Sequence, residues 1–295
     1  MSNIKYRGRF APSPSGLLHA GSLATALGSW LDARAANGDW LVRMEDLDTP
    51  RNQAGADEGI LEQLAKFGLI SDEPVIRQSS RLDAYQKALD QLILLNLAYP
   101  CRCSRKSIED RLLAQGIHRE RHHDLIYTGF CRDLAVKDAP NPQVEACAWR
   151  ARVPNITINS QDLAKEVGDF ALKRADGIVS YQLAVVVDDA AQKITHIVRG
   201  MDLLDNTPRQ IWLQEELAYL TPKYLHLPLV VNSSNEKLSK QTQASAVLPK
   251  TNAEVLAYLN QAALHLGMHM PEKPSTLAEW LLVATQSWQN RSKTF

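Results

Sequence analysis

Residues 6–48 constrain the fold more than any other stretch of the chain. Residues 6–10 (YRGRF) read as a short strand. Residues 11–16 (APSPSG) carry two prolines and a glycine and therefore read as a loop. From Ser22 the pattern turns helical, with Leu23, Leu27 and Leu31 recurring every four residues beside Ala26 and Trp30. Asn37-Gly38 is a C-terminal stop signal. Residues 40–44 (WLVRM) read as a second strand, followed by the acidic loop 45–48. Strand, helix and strand in this order make a βαβ unit, the seed of a parallel sheet. Ligands of such sheets sit beyond the carboxyl ends of the strands. Arg9 lies near the end of the first strand and Glu45 at the end of the second.

Further along, helices are expected at about 54–67 and 81–97. Residues 99–154 are rich in cysteine, histidine, arginine and proline and show poor periodicity, which reads as an inserted subdomain. Strands are expected at 170–173, 181–187 and 194–198, the last two joined by the polar turn DDAAQK. Thr207-Pro208 opens a helix to about Tyr219, with proline in its favoured first-turn position. A strand at 227–231, a polar loop at 232–241 and helical patches at 253–264 and 276–285 complete the reading.

Bulk properties set outer limits. A chain of 295 residues allows one large core or two modest domains. With 45% hydrophobic and 22% charged residues it is neither disordered nor fibrous. Lys and Arg number 33 and Asp and Glu 33, so net charge alone gives no reason to expect a strongly basic nucleic-acid binder, though a local basic patch stays open. The start, MSNIKYRGRF, has no signal-like apolar run, and no stretch has the length to span a bilayer. A cytoplasmic protein with no membrane partner is expected.

The run RGRFAPSPSGLLHAGS (residues 7–22) sets a histidine and a glycine where a loop meets a helix amino terminus. That place attracts phosphate, because unpaired N–H groups and the helix dipole point there. Gly21 lets a base or ribose approach the backbone, and His19 could donate to a phosphate whose charge grows during displacement. An isolated H-x-G would more simply be a shaped turn with a surface histidine. The whole string, however, resembles the signature of class I aminoacyl-tRNA synthetases of the glutamyl and glutaminyl branch. The resemblance continues through VRMEDLDTPR (42–51), DFALKRADGIVSYQLAVVVDD (169–189), THIVRGMDLLDNTPRQ (195–210) and EKLSKQ (236–241), in the family's order.

That resemblance implies an α/β fold: a doubly wound, Rossmann-type parallel-sheet nucleotide-binding domain, residues 1–241, split at about 99–165 by a zinc-containing insert that meets the acceptor RNA. Residues 242–295 would form a short helical region, without an anticodon-binding domain. The activity implied is ATP-dependent formation of glutamyl-adenylate, with Mg2+, by a monomer. Lys237-Leu238-Ser239-Lys240 is similar to the family's KMSKS loop, which makes Lys240 the first candidate for ATP contact and Lys237 the second. Alone, such a loop would be a solvated surface. The first motif departs from H-x-G-H, ending in Ser22, as is frequent in the glutamyl branch.

Glutamate carries an ammonium and two carboxylates, and its α-carboxylate must stay available for attack on ATP. Arginine grips a carboxylate bidentately, and a carboxylate suits the ammonium. The resemblance assigns the substrate side chain to Arg9, Tyr181 and Arg199, the ammonium to Glu45, and further contacts to Ala11 and Ser13. Structural ion pairs of Arg9 and Arg199, with Asp48 or Asp202, are the competing reading of the residues alone.

Cys101, Cys103 and Cys131 cluster in sequence, which favours a structural zinc over disulfides in a reducing compartment. Three unmetallated buried cysteines remain the alternative. By chemistry the fourth ligand would be His118, His122 or His123; the resemblance points instead to Tyr127. Cys147 falls outside the pattern and reads as a packed residue. The run HRERHH (118–123) could touch RNA or be a solvated basic face. The short tail resembles truncated members of the family, whose acceptor is queuosine in the anticodon of tRNA(Asp). Two other expectations stay open: ordinary charging of the 3′ end of tRNA(Glu), and a non-catalytic paralogue that binds an amino acid or RNA.

Overall fold

A computed structural model describes residues 5–116, 126–134, 141–142, 145–229, 245–268, 274 and 276–290. In chain order these form β1 (Arg7–Phe10), α1 (Ala20–Ala35), β2 (Asp39–Met44), α2 (Ala56–Lys66), β3 (Ile76–Arg77), α3 (Leu82–Leu94), β4 (Ala98–Cys101), α4 (Arg105–Ala114), β5 (Ala148–Ala151), β6 (Thr157–Ile158), β7 (Gln161–Asp162), β8 (Ala171–Lys173), α5 (Tyr181–Ala191), β9 (His196–Gly200), α6 (Thr207–Glu216), β10 (Lys223–Leu227), α7 (Asn252–His265) and α8 (Leu277–Asn290). They fall into two compact units. The first comprises Met1–Ser80, Ala191–Leu204 and Pro222–Phe295, the second Arg81–Ala190 and Asp205–Thr221.

The first unit is built on parallel strands. β1 pairs with β2 and β2 with β3, Arg9 lying opposite Leu41 and Met44 opposite Arg77. β9 pairs with β10, Arg199 opposite His226. Thr195 joins the two sets: its amide donates to the Arg7 carbonyl at 2.9 Å, and its hydroxyl accepts the Arg7 amide at 2.8 Å. Parallel neighbours need a crossover, and α1 supplies it between β1 and β2. Asn37 ends α1 in the left-handed region, at φ 51°. Gly38 then passes so close to Tyr6 that a Cβ would meet its carbonyl oxygen at 2.5 Å.

α1 is the centre of this unit. Every residue from 23 to 33 except Thr25 is buried, so the helix is enclosed on almost every side, Ser29 and Asp32 included. It packs on β1, β2, β9, α7 and α8. Asp32, buried in that helix, accepts the Tyr6 hydroxyl at 2.6 Å and the Trp288 indole N–H at 3.0 Å, so the carboxylate is paired despite its burial. Burial, then the Asp32 charge, pushes the Tyr6 phenol well above its ordinary range. Trp280 and Trp288 of α8 are fully buried, and truncating either to alanine should cost about 3–5 kcal/mol.

The second unit holds an antiparallel sheet in the order β4-β5-β8 and the β6-β7 ribbon. Two buried carboxylates organise it. Asp169 accepts the Tyr99 hydroxyl at 2.6 Å and the Val153 amide at 2.9 Å. Asp188 accepts the Tyr85 hydroxyl at 2.8 Å and pairs with Arg81 at 2.5 Å.

The structure departs from three expectations of the sequence. Residues 181–187 are not a strand; they begin α5. Residues 183–189 are all buried, so no polar face marks the helical period, and three successive valines imitate a strand. The polar turn expected at 188–193 starts inside the same helix, where Asp188 is satisfied by Arg81 and Tyr85. The strand expected at 227–231 is displaced: β10 ends at Leu227, Pro228 follows with no amide to extend the pairing, and residues 230–231 lie outside the described residues. No helix among the described residues is long and apolar enough to cross a membrane.

Candidate functional site

In the first unit, the carboxyl ends of β1, β2 and β9 carry Arg9, Glu45 and Arg199. The Glu45 amide donates to the Pro12 carbonyl at 2.9 Å, tying the loop after β2 to the loop after β1. That second loop holds Ala11 and the exposed Ser13, and it turns through Gly16 at φ 130°. Arg9 and Arg199 are each only 3% exposed, and buried guanidinium groups demand partners. The Arg199 guanidinium lies 5.1 Å from the centre of the Tyr224 ring, and its Nε–H donates to His226 Nε2 at 3.4 Å. The imidazole must then present a lone pair. Burial, followed by the Arg199 charge, lowers its pKa to about 4. Glu45 is oriented by the fully buried Arg43, whose Nη2 lies 3.4 Å from the carboxylate and whose Nη1 donates to Gln192 at 2.7 Å. Asp48 pairs with Arg51.

His19 is the N-cap of α1, and its own ring does the capping. Nδ1 accepts the Gly21 amide at 3.1 Å and the Ser22 amide at 3.4 Å. Ser22 Oγ accepts the His19 amide at 2.8 Å, completing a reciprocal capping box. Because Nδ1 is an acceptor, the ring proton sits on Nε2. The histidine is thereby fixed as an Nε2–H donor at a helix amino terminus. The departure of the motif at Ser22 is what closes this box. His19 also bridges antiparallel to Ala246. Lys237 and Lys240 lie outside the described residues.

In the second unit, Cys101, Cys103 and Cys131 bring three sulfur atoms within 4.8 Å of one another. Cys103 and Cys131 Sγ are 3.5 Å apart. The Tyr127 hydroxyl lies 3.3 Å from Cys101 Sγ and 3.6 Å from Cys103 Sγ, and it accepts the Cys131 amide at 2.9 Å. Tetrahedral zinc with bonds of about 2.3 Å to sulfur places its ligand atoms about 3.8 Å apart, so this donor set fits a zinc ion. Arg150 donates to Cys101 Sγ at 3.3 Å and lays its guanidinium 4.1 Å from the Tyr127 ring, a cation against a sulfur atom and an electron-rich ring. Burial pushes the Cys103 thiol up to about 11 and the Tyr127 phenol far above its ordinary range. At Cys131 burial acts in the same sense, but hydrogen bonds from Tyr127 and Cys103 outweigh it and leave the thiol below its ordinary value. All four cysteines are free of disulfides; Cys147 is buried beside the Cys101 backbone but is not one of the three grouped sulfurs. His118, His122 and His123 lie outside the described residues.

Tyr181 opens α5 in the second unit and is half-buried. Sequence reasoning missed Tyr224, His226 and Arg150, which act on the candidate residues across strands and carry no local motif, and it gave no role to Arg43, which lies in the 42–51 block and reaches Glu45 two residues on. It also missed Gln63, whose one signal was a polar residue in the apolar stripe of α2.

The family described as tRNA synthetases class I (E and Q), catalytic domain, matches residues 5–279. A protein of Burkholderia orbicola named glutamyl-Q tRNA(Asp) synthetase is 52% identical over 303 residues, covering 98% of each chain. One of the same name from Cupriavidus metallidurans is 52% identical over 300 residues, covering 97% of this chain and 92% of its own. Among solved structures, the glutamate-tRNA synthetase of Elizabethkingia anophelis superposes with a TM-score of 0.73 at 26% identity, over 94% of this chain. This chain spans only 65% of that protein's length.

Proposed function

The chain belongs to the class I tRNA synthetases (E and Q), and on that premise we propose that it activates L-glutamate with ATP, without tRNA, and transfers it to queuosine in the anticodon of tRNA(Asp). The observation that carries this reading is the 52% identity, over 98% of both chains, to a protein named for that activity.

The chemistry runs in two displacements. The α-carboxylate oxygen of glutamate attacks the α-phosphorus of ATP; the bond to the bridging oxygen breaks, and pyrophosphate leaves. A queuosine hydroxyl then attacks the acyl carbon, and AMP leaves. Neither step needs a protein nucleophile, so positioning and charge stabilisation carry the catalysis. His19 supports the first step as a fixed Nε2–H donor to the phosphates, with Gly21 beside it at the helix amino terminus. Lys240, and Lys237 second, are proposed for the triphosphate, which class I synthetases use with Mg2+. Arg9 and Arg199 take the γ-carboxylate and Glu45 the ammonium, with Ala11 and Ser13 alongside. Two guanidinium groups on one carboxylate reject glutamine, which lacks the charge. Cys101, Cys103, Tyr127 and Cys131 would hold a zinc ion, whose contribution when bound is structural, cross-linking β4 to the 126–134 segment.

The likeness to a solved glutamate-tRNA synthetase favours a second reading, charging of the 3′ end of tRNA(Glu). Both readings require glutamate-dependent exchange of labelled pyrophosphate into ATP, and the first requires it without tRNA. Absence of exchange would leave a non-catalytic binding protein.

A further inference from the structure

We infer that Gln63 is a positioning residue for adenylate formation, holding the Leu18–His19 backbone against Ala246–Val247 and thereby aiming the His19 ring. The inference rests on the activation chemistry proposed above.

Gln63 lies in the apolar stripe of α2 with Ile60, Leu64 and Phe67, and it is 2% exposed. A buried amide is costly unless its donors and acceptor are paired. Here they are paired with backbone alone. Oε1 accepts the Leu18 amide at 2.7 Å, and Nε2 donates to the Leu18 carbonyl at 3.2 Å and the Val247 carbonyl at 2.8 Å. The Leu18 carbonyl also accepts the Val247 amide at 2.9 Å. The side chain thus completes a small ladder between two segments distant in sequence. The next rung is the bridge between His19 and Ala246.

His19 depends on that ladder. Its backbone is extended, at φ −106° and ψ 175°, and from there its ring reaches the Gly21 and Ser22 amides. Those two bonds put the proton on Nε2. A shift of Leu18 would therefore move the donor and loosen the tautomer together. A purely structural amide would also pair the two backbones, but its removal would cost folding stability without selectively slowing the step that uses His19.

The test uses the full chain and compares wild type, Gln63→Met and His19→Ala, singly and combined, in glutamate-dependent pyrophosphate exchange, with melting temperature measured in parallel. Met keeps the volume and loses every hydrogen bond. The expected result, at a temperature where all variants are folded, is a kcat lowered roughly ten- to a hundredfold with the glutamate KM within about twofold of wild type. In the His19→Ala background the same change should cost less than about twofold, because the residue acts through His19. An unchanged kcat in folded Gln63→Met, or an equal loss in both backgrounds, overturns the inference. If Gln63→Met does not fold, Gln63→Glu, which keeps the acceptor for Leu18, carries the comparison. No exchange by wild type would contradict the activation reading itself, a different outcome from exchange that Gln63 does not affect.

Discussion

Arg199 and His226 face each other across β9 and β10, and the guanidinium Nε–H donates to the imidazole Nε2 at 3.4 Å. That bond exists only while His226 is neutral. Burial and the Arg199 charge, against a weaker opposing pull from Asp202, keep it neutral down to about pH 4.

A pH dependence follows. The unfolded chain protonates this histidine near its ordinary pKa of about 6.5, before the fold does. Between about pH 6.5 and 4 the unfolded state therefore binds more protons. The contribution is complete above about pH 6.5 and is lost as pH falls toward 4. His226→Gln keeps an acceptor and does not titrate, so its melting temperature should fall less than that of wild type between those pH values. Parallel profiles would show that His226 is not held neutral.

Arg199 itself should govern glutamate. Charge-assisted hydrogen bonds contribute about 1.5–3 kcal/mol, so Arg199→Ala should raise the glutamate KM roughly ten- to a hundredfold. The ATP KM should stay within about twofold, since the adenylating groups are elsewhere. Glutamate dependence unchanged by the substitution would refute the assignment.

His19 combines a cap and a donor, and the two roles separate by substitution. His19→Asn retains a capping side chain, whereas His19→Ala loses about 1 kcal/mol of helix stability. Neither offers the imidazole Nε2–H. Both should slow pyrophosphate exchange by about a hundredfold, while only the alanine variant melts appreciably earlier. Wild-type exchange by either variant would remove His19 from the chemistry.

The sulfur cluster predicts about one zinc per chain by metal analysis. Cys131→Ser should lose the metal and lower the melting temperature. A chelated, metal-free chain that keeps its melting temperature and full exchange activity would remove the zinc claim.

Legibility in the sequence followed locality. The first strand, the proline-rich loop, α1 and β2 could be read because each has its own period or turn chemistry, and Arg9 and Glu45 came with those strand ends. The clustering of Cys101, Cys103 and Cys131 was visible in spacing, whereas Tyr127 entered only by family resemblance. α5 was misread because burial on every side of residues 183–189 erased its polar face. His226 and Gln63 were silent because each acts through a neighbour brought up by strand pairing or helix packing. Gln63 and Val247 meet across 184 positions, a contact no local pattern encodes.

The central claim is the acceptor. Labelled glutamate, ATP and Mg2+ should be given to the enzyme with two pools of tRNA, one from cells that make queuosine and one from cells that do not. Label entering only the queuosine-containing pool, and there only tRNA(Asp), is the predicted result. Label entering tRNA(Glu) from both pools would contradict it and make the chain a conventional charging enzyme.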